Sequence, residues 1–170
     1  MTRGLLNNSD RFIKTYWSKY ENIWYHGDIV RINSDGLWYM RGRADDIIKV
    51  SGHRIGAAEI EAAAASHPRV AEVVAVGKPD EVKGEIVIVC IVVRDGYKTD
   101  SCILSDQIIE RVEESIGRFA RPQEVRIVAE LPKTRTGKLI RRLVKAKISG
   151  GNIADQELSI VENPWSLDGI

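Results

Sequence analysis

VAEVVAVGKPDEVKGEIVIVCIVV, residues 70 to 93, is the stretch on which the fold turns. Residues 70–76 and 86–93 are apolar runs of strand length and strand composition, and the nine residues between them, GKPDEVKGE, read as a loop. Upstream, IIKVSGHRIG at 47–56 places β-branched residues around a Ser-Gly pair, the pattern of a short hairpin. AAEIEAAAAS follows as an alanine-rich helix that must end before Pro68. Downstream, Leu104, Ile108, Ile109, Val112 and Ile116 recur at helical spacing between Asp100 and Gly117. EVRIVAE alternates as a strand, LPKTRTGK is a loop, and a last helix is expected from about Gly137, with Leu139, Ile140, Leu143 and Val144 as its apolar stripe. Hairpin, helix, strand, strand, helix, strand, helix predicts a small α+β domain, a three-stranded sheet with helices plus a short hairpin. The tail after Gly150-Gly151 loses periodicity and is expected to lie on the surface.

Before residue 45 the pattern is different. Residues 9–20 suit a helix with Ser9 or Asp10 as N-cap and Phe12, Ile13, Tyr16 and Trp17 on one side. A hairpin follows, from the strand around Asp28 to Ile32 through Asp35-Gly36 into LWYMRG. One helix and one hairpin bury little surface, yet they hold Trp17, Trp24 and Trp38. Aromatics so concentrated on so small a unit imply packing against a larger body, or self-association.

Composition excludes several classes. Across 170 residues, 44% are apolar and 29% charged, the proportions of a globular chain rather than a disordered one. The 25 basic and 24 acidic side chains leave a net charge of +1, so no global field draws nucleic acid or an anionic membrane. No apolar stretch reaches transmembrane length, and MTRGLLNNSDRF has no signal-like core. Cys90 and Cys102 have no partner at metal-ligand or redox spacing, which fits a reducing cytoplasm. No metal site is expected.

Three clusters carry chemistry. In YHGD, residues 25–28, Asp28 either bonds nearby amides in a turn or accepts hydrogen bonds from a sugar diol. GRADDIIKVSGHRIG, residues 42–56, reads either as a charged linker with an ordinary hairpin or as a ligand-binding segment. Arg43 and Arg54 there supply planar donors for phosphate or ribose oxygens, Gly52 permits close backbone approach, and Asp45 and Asp46 sit at a natural hinge position. LPKTRTGKLIRR, residues 131–142, is not a P-loop, because Pro132 stands where the first glycine would be and Leu139 where Ser or Thr is required. It is either a solvated basic face or a loop that presents Lys138.

In this order the clusters resemble the late motifs of the adenylate-forming acyl-CoA synthetases. GHRIGAAEIE, HPRVAEVVAVGKPDEVKGE and the final LSIVENPW look like the carboxy-terminal portion of acetyl- or propionyl-CoA synthetases. The resemblance implies that residues 1–44 are the terminal helix and hairpin of a large amino-terminal domain, 45–150 the mobile carboxy-terminal domain, and 151–170 a tail. It implies acyl-AMP formation from ATP (with Mg2+), then, after a domain rotation, attack by coenzyme A. Neither substrate is expected to bind tightly to this chain alone. Lys138 would be the adenylation lysine, Asp45 the hinge, and Asp28 and Arg43 the ribose contacts. Arg54 would meet the AMP phosphate, and Ser51, Gly52 and His53 would line the coenzyme A path. One departure is Glu113-Glu114, where the family often has a basic residue for the coenzyme A phosphates; only Arg118 and Arg121 lie near. The early phosphate loop and the acyl pocket are not in this sequence, so the chain is expected to be inert alone or to act with a separate amino-terminal part. The competing reading is a stand-alone nucleotide- or coenzyme A-binding module built on the basic residues 133–147.

Overall fold

The computed structural model describes residues 3–97 and 100–170. Met1 and Thr2, where the first expected segment begins, lie outside the described residues. The chain divides into two compact units, Met1–Asp45 and Asp46–Ile170.

The first unit holds α1 (Ser9–Tyr16), β1 (Asp28–Ile32) and β2 (Trp38–Arg43). The helix is capped by Asn8, whose side chain accepts from the Arg11 amide at 3.3 Å, not by Ser9 or Asp10. Asn serves this role as well as Ser or Asp does. The helix also stops at Tyr16 rather than reaching residue 20, because the Tyr16 carbonyl accepts from the Tyr25 amide at 2.8 Å instead of from a further helical turn. Trp24 is the centre of an aromatic cluster. It stacks on Tyr16 with centroids 4.3 Å apart, meets Trp17 edge-on at 5.6 Å and leans on Phe12 at 5.8 Å. Ile13, expected among them, is exposed. The two strands pair antiparallel, and the pairs Val30–Met40 and Ile32–Trp38 put four apolar side chains on one face. Trp38 stays 68% exposed there, whereas Trp17 and Trp24 are half-buried, so one of the three tryptophans is left exposed, along with Tyr20 and Tyr39.

The second unit runs β3 (Ile47–Val50), β4 (His53–Gly56), α2 (Ala57–Ala65), β5 (Val70–Asp80), β6 (Gly84–Val93), α3 (Ser101–Ile116), β7 (Glu124–Ile127), α4 (Arg141–Ile148) and a short α5 (Asp155–Leu158). β5 and β6 pair antiparallel along their length and β7 joins β6 in parallel, giving the three-stranded core. The β3–β4 hairpin extends the sheet through the pair Val50–Gly84. Alternation on β6 sends Val87, Val89 and Ile91 to one face, with α2 and α3, and Ile88 and Cys90 to the other, with Val144 and Ile148 of α4. A strand covered on both faces has no polar side, which is why 86–93 reads as an unbroken apolar run.

Three expectations need correction. The nine-residue loop at 77–85 is a turn of three residues, since β5 runs to Asp80 and β6 starts at Gly84. Asp80 sets that turn by accepting from the amides of Val82 at 3.0 Å and Lys83 at 2.8 Å. The last helix starts at Arg141 rather than near Gly137, because 133–139 fold into a small hairpin of their own. The tail does not merely lie on the surface: Val161 and Leu167 are buried against Leu143 in a core cluster.

Candidate functional site

In the first unit, YHGD and GRADD meet through strand register, which pairs Asp28 with Arg43. Gly27 is buried with φ +87°, a conformation that favours glycine, and a Cβ on it would lie 3.0 Å from Arg43 Nη2 and crowd the guanidinium. Arg43 donates from Nη1 to the His26 carbonyl at 3.3 Å and to Asp28 Oδ1 at 3.4 Å, and from Nε to Asp45 Oδ1 at 3.0 Å. The bond to Asp45 is the chief reason its pKa is raised above the ordinary arginine value. Asp28 also bonds the His26 ring through Oδ2. Beside this network Thr15, Tyr16, Tyr25, His26, Arg43 and Asp45 line a cleft of about 260 Å³. A carboxylate and a guanidinium held together at its side supply both acceptors and donors for hydroxyl groups.

In the second unit the tip of the β3–β4 hairpin is made by Ser51 and Gly52, both in the left-handed region at φ 49° and 85°. Two consecutive positive φ values are what a two-residue hairpin loop of this twist requires. Ser51 is the costlier of the two, and its amide is fixed by the Lys83 carbonyl at 2.8 Å. The tip is exposed and open: nothing lies within 4 Å of where a Cβ on Gly52 would be. His53 stacks on Phe119 with centroids 4.4 Å apart, while the Arg54 side chain makes no hydrogen bond or ion pair among the described residues. Arg118 and Arg121 are not similarly available, because both pair with Glu113, Arg118 at 3.3 Å.

The third cluster is a hairpin that ends at Lys138. Lys133 pairs with Leu139 across it, the Thr134 amide donates to the Lys138 carbonyl at 2.9 Å, and the Gly137 amide to the Thr134 carbonyl at 2.8 Å. Gly137 closes the turn at φ 78°. Of the seven cations between Lys133 and Lys147, five have carboxylate partners. Lys133 bonds Glu72 at 2.5 Å, Arg135 approaches Glu162 at 3.8 Å, Lys145 bonds Glu85 at 2.9 Å, and Arg142 holds Glu157. Arg141, three-quarters buried, holds Asp46 and, at 2.7 Å, Glu61. Burial acts against its charge, but the bonds to Glu61 and Asp46 outweigh burial and its pKa is raised. The ammonium groups of Lys138 and Lys147 have no partner among the described residues. The basic run is therefore mostly an internal ion-pair scaffold, with one free ammonium at a hairpin tip.

The hairpins that carry Lys138 and Arg54 attach toward opposite ends of β5. The Lys133 side chain reaches Glu72 near one end of β5, and Ser51 bonds Lys83 in the turn at the other. Eight residue steps separate Glu72 from Asp80, on the order of 26 Å of strand. Among the described residues no group of three or more His, Cys, Asp or Glu could hold a metal ion, and no helix is long and apolar enough to cross a membrane.

Several residues of this arrangement gave no signal in the sequence. Glu85 was hidden in a segment that reads as loop, yet it accepts from the Lys49 amide at 2.8 Å and from Lys145. Phe119 carries no motif, and Glu61 and Asn163 lie in stretches that resemble the family without being singled out themselves.

Comparison with known proteins agrees with the fold. The family described as AMP-binding enzyme C-terminal domain matches residues 59–138. The chain is 41% identical over 174 residues to the acetyl-coenzyme A synthetase of Methanothrix thermoacetophila, covering 100% of this chain and 26% of that protein. It is 45% identical over 172 residues to the 3-hydroxypropionyl-coenzyme A synthetase of Sulfurisphaera tokodaii, again 100% and 26%. The chain thus spans about a quarter of the length of these curated relatives. The crystal structure of a Brucella canis acyl-CoA synthetase superposes with a TM-score of 0.59 at 35% identity, over 75% of this chain and 23% of that one.

Proposed function

We propose, from the match of residues 59–138 to the AMP-binding enzyme C-terminal domain family, that the chain supplies the mobile domain of an AMP-forming ligase that joins a short carboxylic acid to coenzyme A. Lys138 is the adenylation lysine. Its ammonium, free of partners at the tip of a tightly bonded hairpin, meets the negative charge that builds on the carboxylate and α-phosphate as acyl-AMP forms. That free cation at the hairpin tip, in a run where five of seven cations are held by Glu61, Glu72, Glu85, Glu157 and Glu162, is the observation that carries the reading. Asp28 and Arg43 take the ribose hydroxyls and Asp45 is the hinge. Ser51, Gly52 and His53 border the coenzyme A path, and Arg54 takes the AMP phosphate. ATP, entering with its Mg2+, and coenzyme A are substrates. A large amino-terminal part completes the active site, and the apolar hairpin face at Ile32, Trp38 and Met40 gives it a surface on which to pack. The same ion pairs count against a stand-alone module that binds nucleotide through residues 133–147, since five of its seven cations are already engaged.

The test is complementation. Mixed with or fused to the amino-terminal three quarters of an acetyl-coenzyme A synthetase, the chain should support acetate-dependent ATP–pyrophosphate exchange; alone it should not. Lys138→Ala should lower that exchange by about a hundredfold or more, while coenzyme A still reacts with supplied acetyl-AMP. Exchange by the chain alone, or an adenylation rate indifferent to Lys138→Ala, would refute the assignment.

A further inference from the structure

The hairpin that ends at Lys138 is not held by its own bonds alone. Its outer strand is paired by the tail: Thr134 bridges Val161, and the Glu162 amide donates to the Lys133 carbonyl at 2.8 Å. The next residue, Asn163, is 8% exposed and spends its whole amide on the entry to the hairpin. Its Oδ1 accepts from the Lys133 amide at 3.0 Å, and its Nδ2 donates to the Leu131 carbonyl at 3.0 Å and to Glu130 Oε2 at 2.8 Å. Its own carbonyl accepts from the amide of Ser166 at 3.0 Å and from its hydroxyl at 2.7 Å, which fixes Asn163 in turn. Val161 and Leu167 then anchor the tail on Leu143 of α4.

We propose that Asn163 is a positioning residue: through the tail it sets the place and rigidity of the hairpin that presents Lys138. A side-chain amide is the group that fits, because the site needs one acceptor for a main-chain N–H and two donors for oxygens. An aspartate would set a carboxylate against Glu130 and the Leu131 carbonyl. An alanine would leave buried main-chain groups of Leu131 and Lys133 short of a partner. The importance of this for catalysis rests on Lys138 being the adenylation lysine; the mechanical claim does not.

Two measurements separate these claims. Amide hydrogen exchange on the full chain carrying Asn163→Ala should quicken about tenfold or more at the hairpin amides of Thr134, Gly137, Lys138 and Ile140, and stay within about twofold on β6. Unchanged exchange in the hairpin, or an equal rise everywhere, overturns the positioning role. In the complemented enzyme, Asn163→Ala should lower kcat for adenylation about tenfold or more, leave KM for ATP within about twofold, and spare thioester formation from supplied acetyl-AMP. Equal loss in both half-reactions means general destabilisation and also overturns it. If Lys138→Ala proves harmless to adenylation, the functional assignment fails on its own, and the exchange result still decides whether Asn163 governs the hairpin.

Discussion

Replacing Arg141 with methionine keeps most of the side-chain bulk and helix propensity and removes the charge that Asp46 and Glu61 share. Each partner is largely buried, with side-chain exposures of 26% for Arg141 and Asp46 and 17% for Glu61. Breaking a fully buried pair costs about 3–5 kcal/mol and a solvated pair about 0–1 kcal/mol. A triad about a quarter exposed lies between these limits, so the loss should be about 2–3 kcal/mol. Glu61 keeps its second bond, to the Ala75 amide at 2.9 Å on the outer edge of β5, and so stays near the Asp46 carboxylate instead of turning outward. For a unit of this size that loss corresponds to a fall in Tm of about 10 °C, and to a fall in urea midpoint of about 1–2 M. Far-UV circular dichroism is the suitable probe, since four of the five α-helices lie in residues 46–170. The double variant Arg141→Met with Glu61→Gln should recover part of the loss, because it removes one of the two orphaned charges. A loss below about 0.5 kcal/mol for the single variant would show that solvent screens the triad, and the scaffold reading of the basic run would fall with it.

His67 and the two cysteines give further outcomes. His67 is buried, donates or accepts at Gln107 with Nε2 (3.2 Å) and accepts from the Arg69 amide. Burial first, then the charges of Arg111 and Arg69, lower its pKa below 6.5, against the opposing bond to Gln107; Glu110 and Glu114 share its groove. The unfolded chain therefore takes up the proton first. Stability should be full above pH 6.5 and decline as the pH falls toward the lowered folded value, and a Tm profile just as steep in His67→Gln would contradict this. Burial pushes the Cys90 thiol up to about 11, whereas Cys102 is exposed. A chromogenic disulfide reagent should titrate one thiol in the native chain and two in denaturant; two fast thiols in the native state would refute the packing of β6.

Most of the second unit was legible because its signals are local. Apolar runs, an alanine-rich helix and a Ser-Gly turn each declare themselves within about ten residues. What was misread depended on distant partners. GKPDEVKGE has loop composition, but Pro79 lies on β5 opposite Glu85, and Gly77 is glycine because a Cβ there would come within 2.7 Å of that Glu85 side chain. Residues 137–140 follow helical spacing, yet the Ile140 amide is taken by the Pro132 carbonyl at 2.9 Å, which delays the helix to Arg141. The candidate site divides the same way. Asp28, Arg43, Arg54 and Lys138 were nominated through their motifs, but which cations of the basic run are free could be learned only from the carboxylates that come from α2, β5, β6 and the tail. Asn163 lies in LSIVENPW, which resembles the family as a stretch, but that resemblance assigns the asparagine itself no role and the segment has no periodicity to place it inside.

The long pair β5–β6 has a consequence in plain mechanics. Covered by helices on both faces, it is a beam, and Lys138 and Arg54, whose side chains are unpaired among the described residues, lie toward opposite ends of it, Lys138 on the side of Glu72 and Arg54 on the side of Asp80. An anion the size of a phosphate is several times shorter than that beam. It can be gripped by one end or by the other, never by both, and a stationary ligand can change its grip only if the beam is turned end for end.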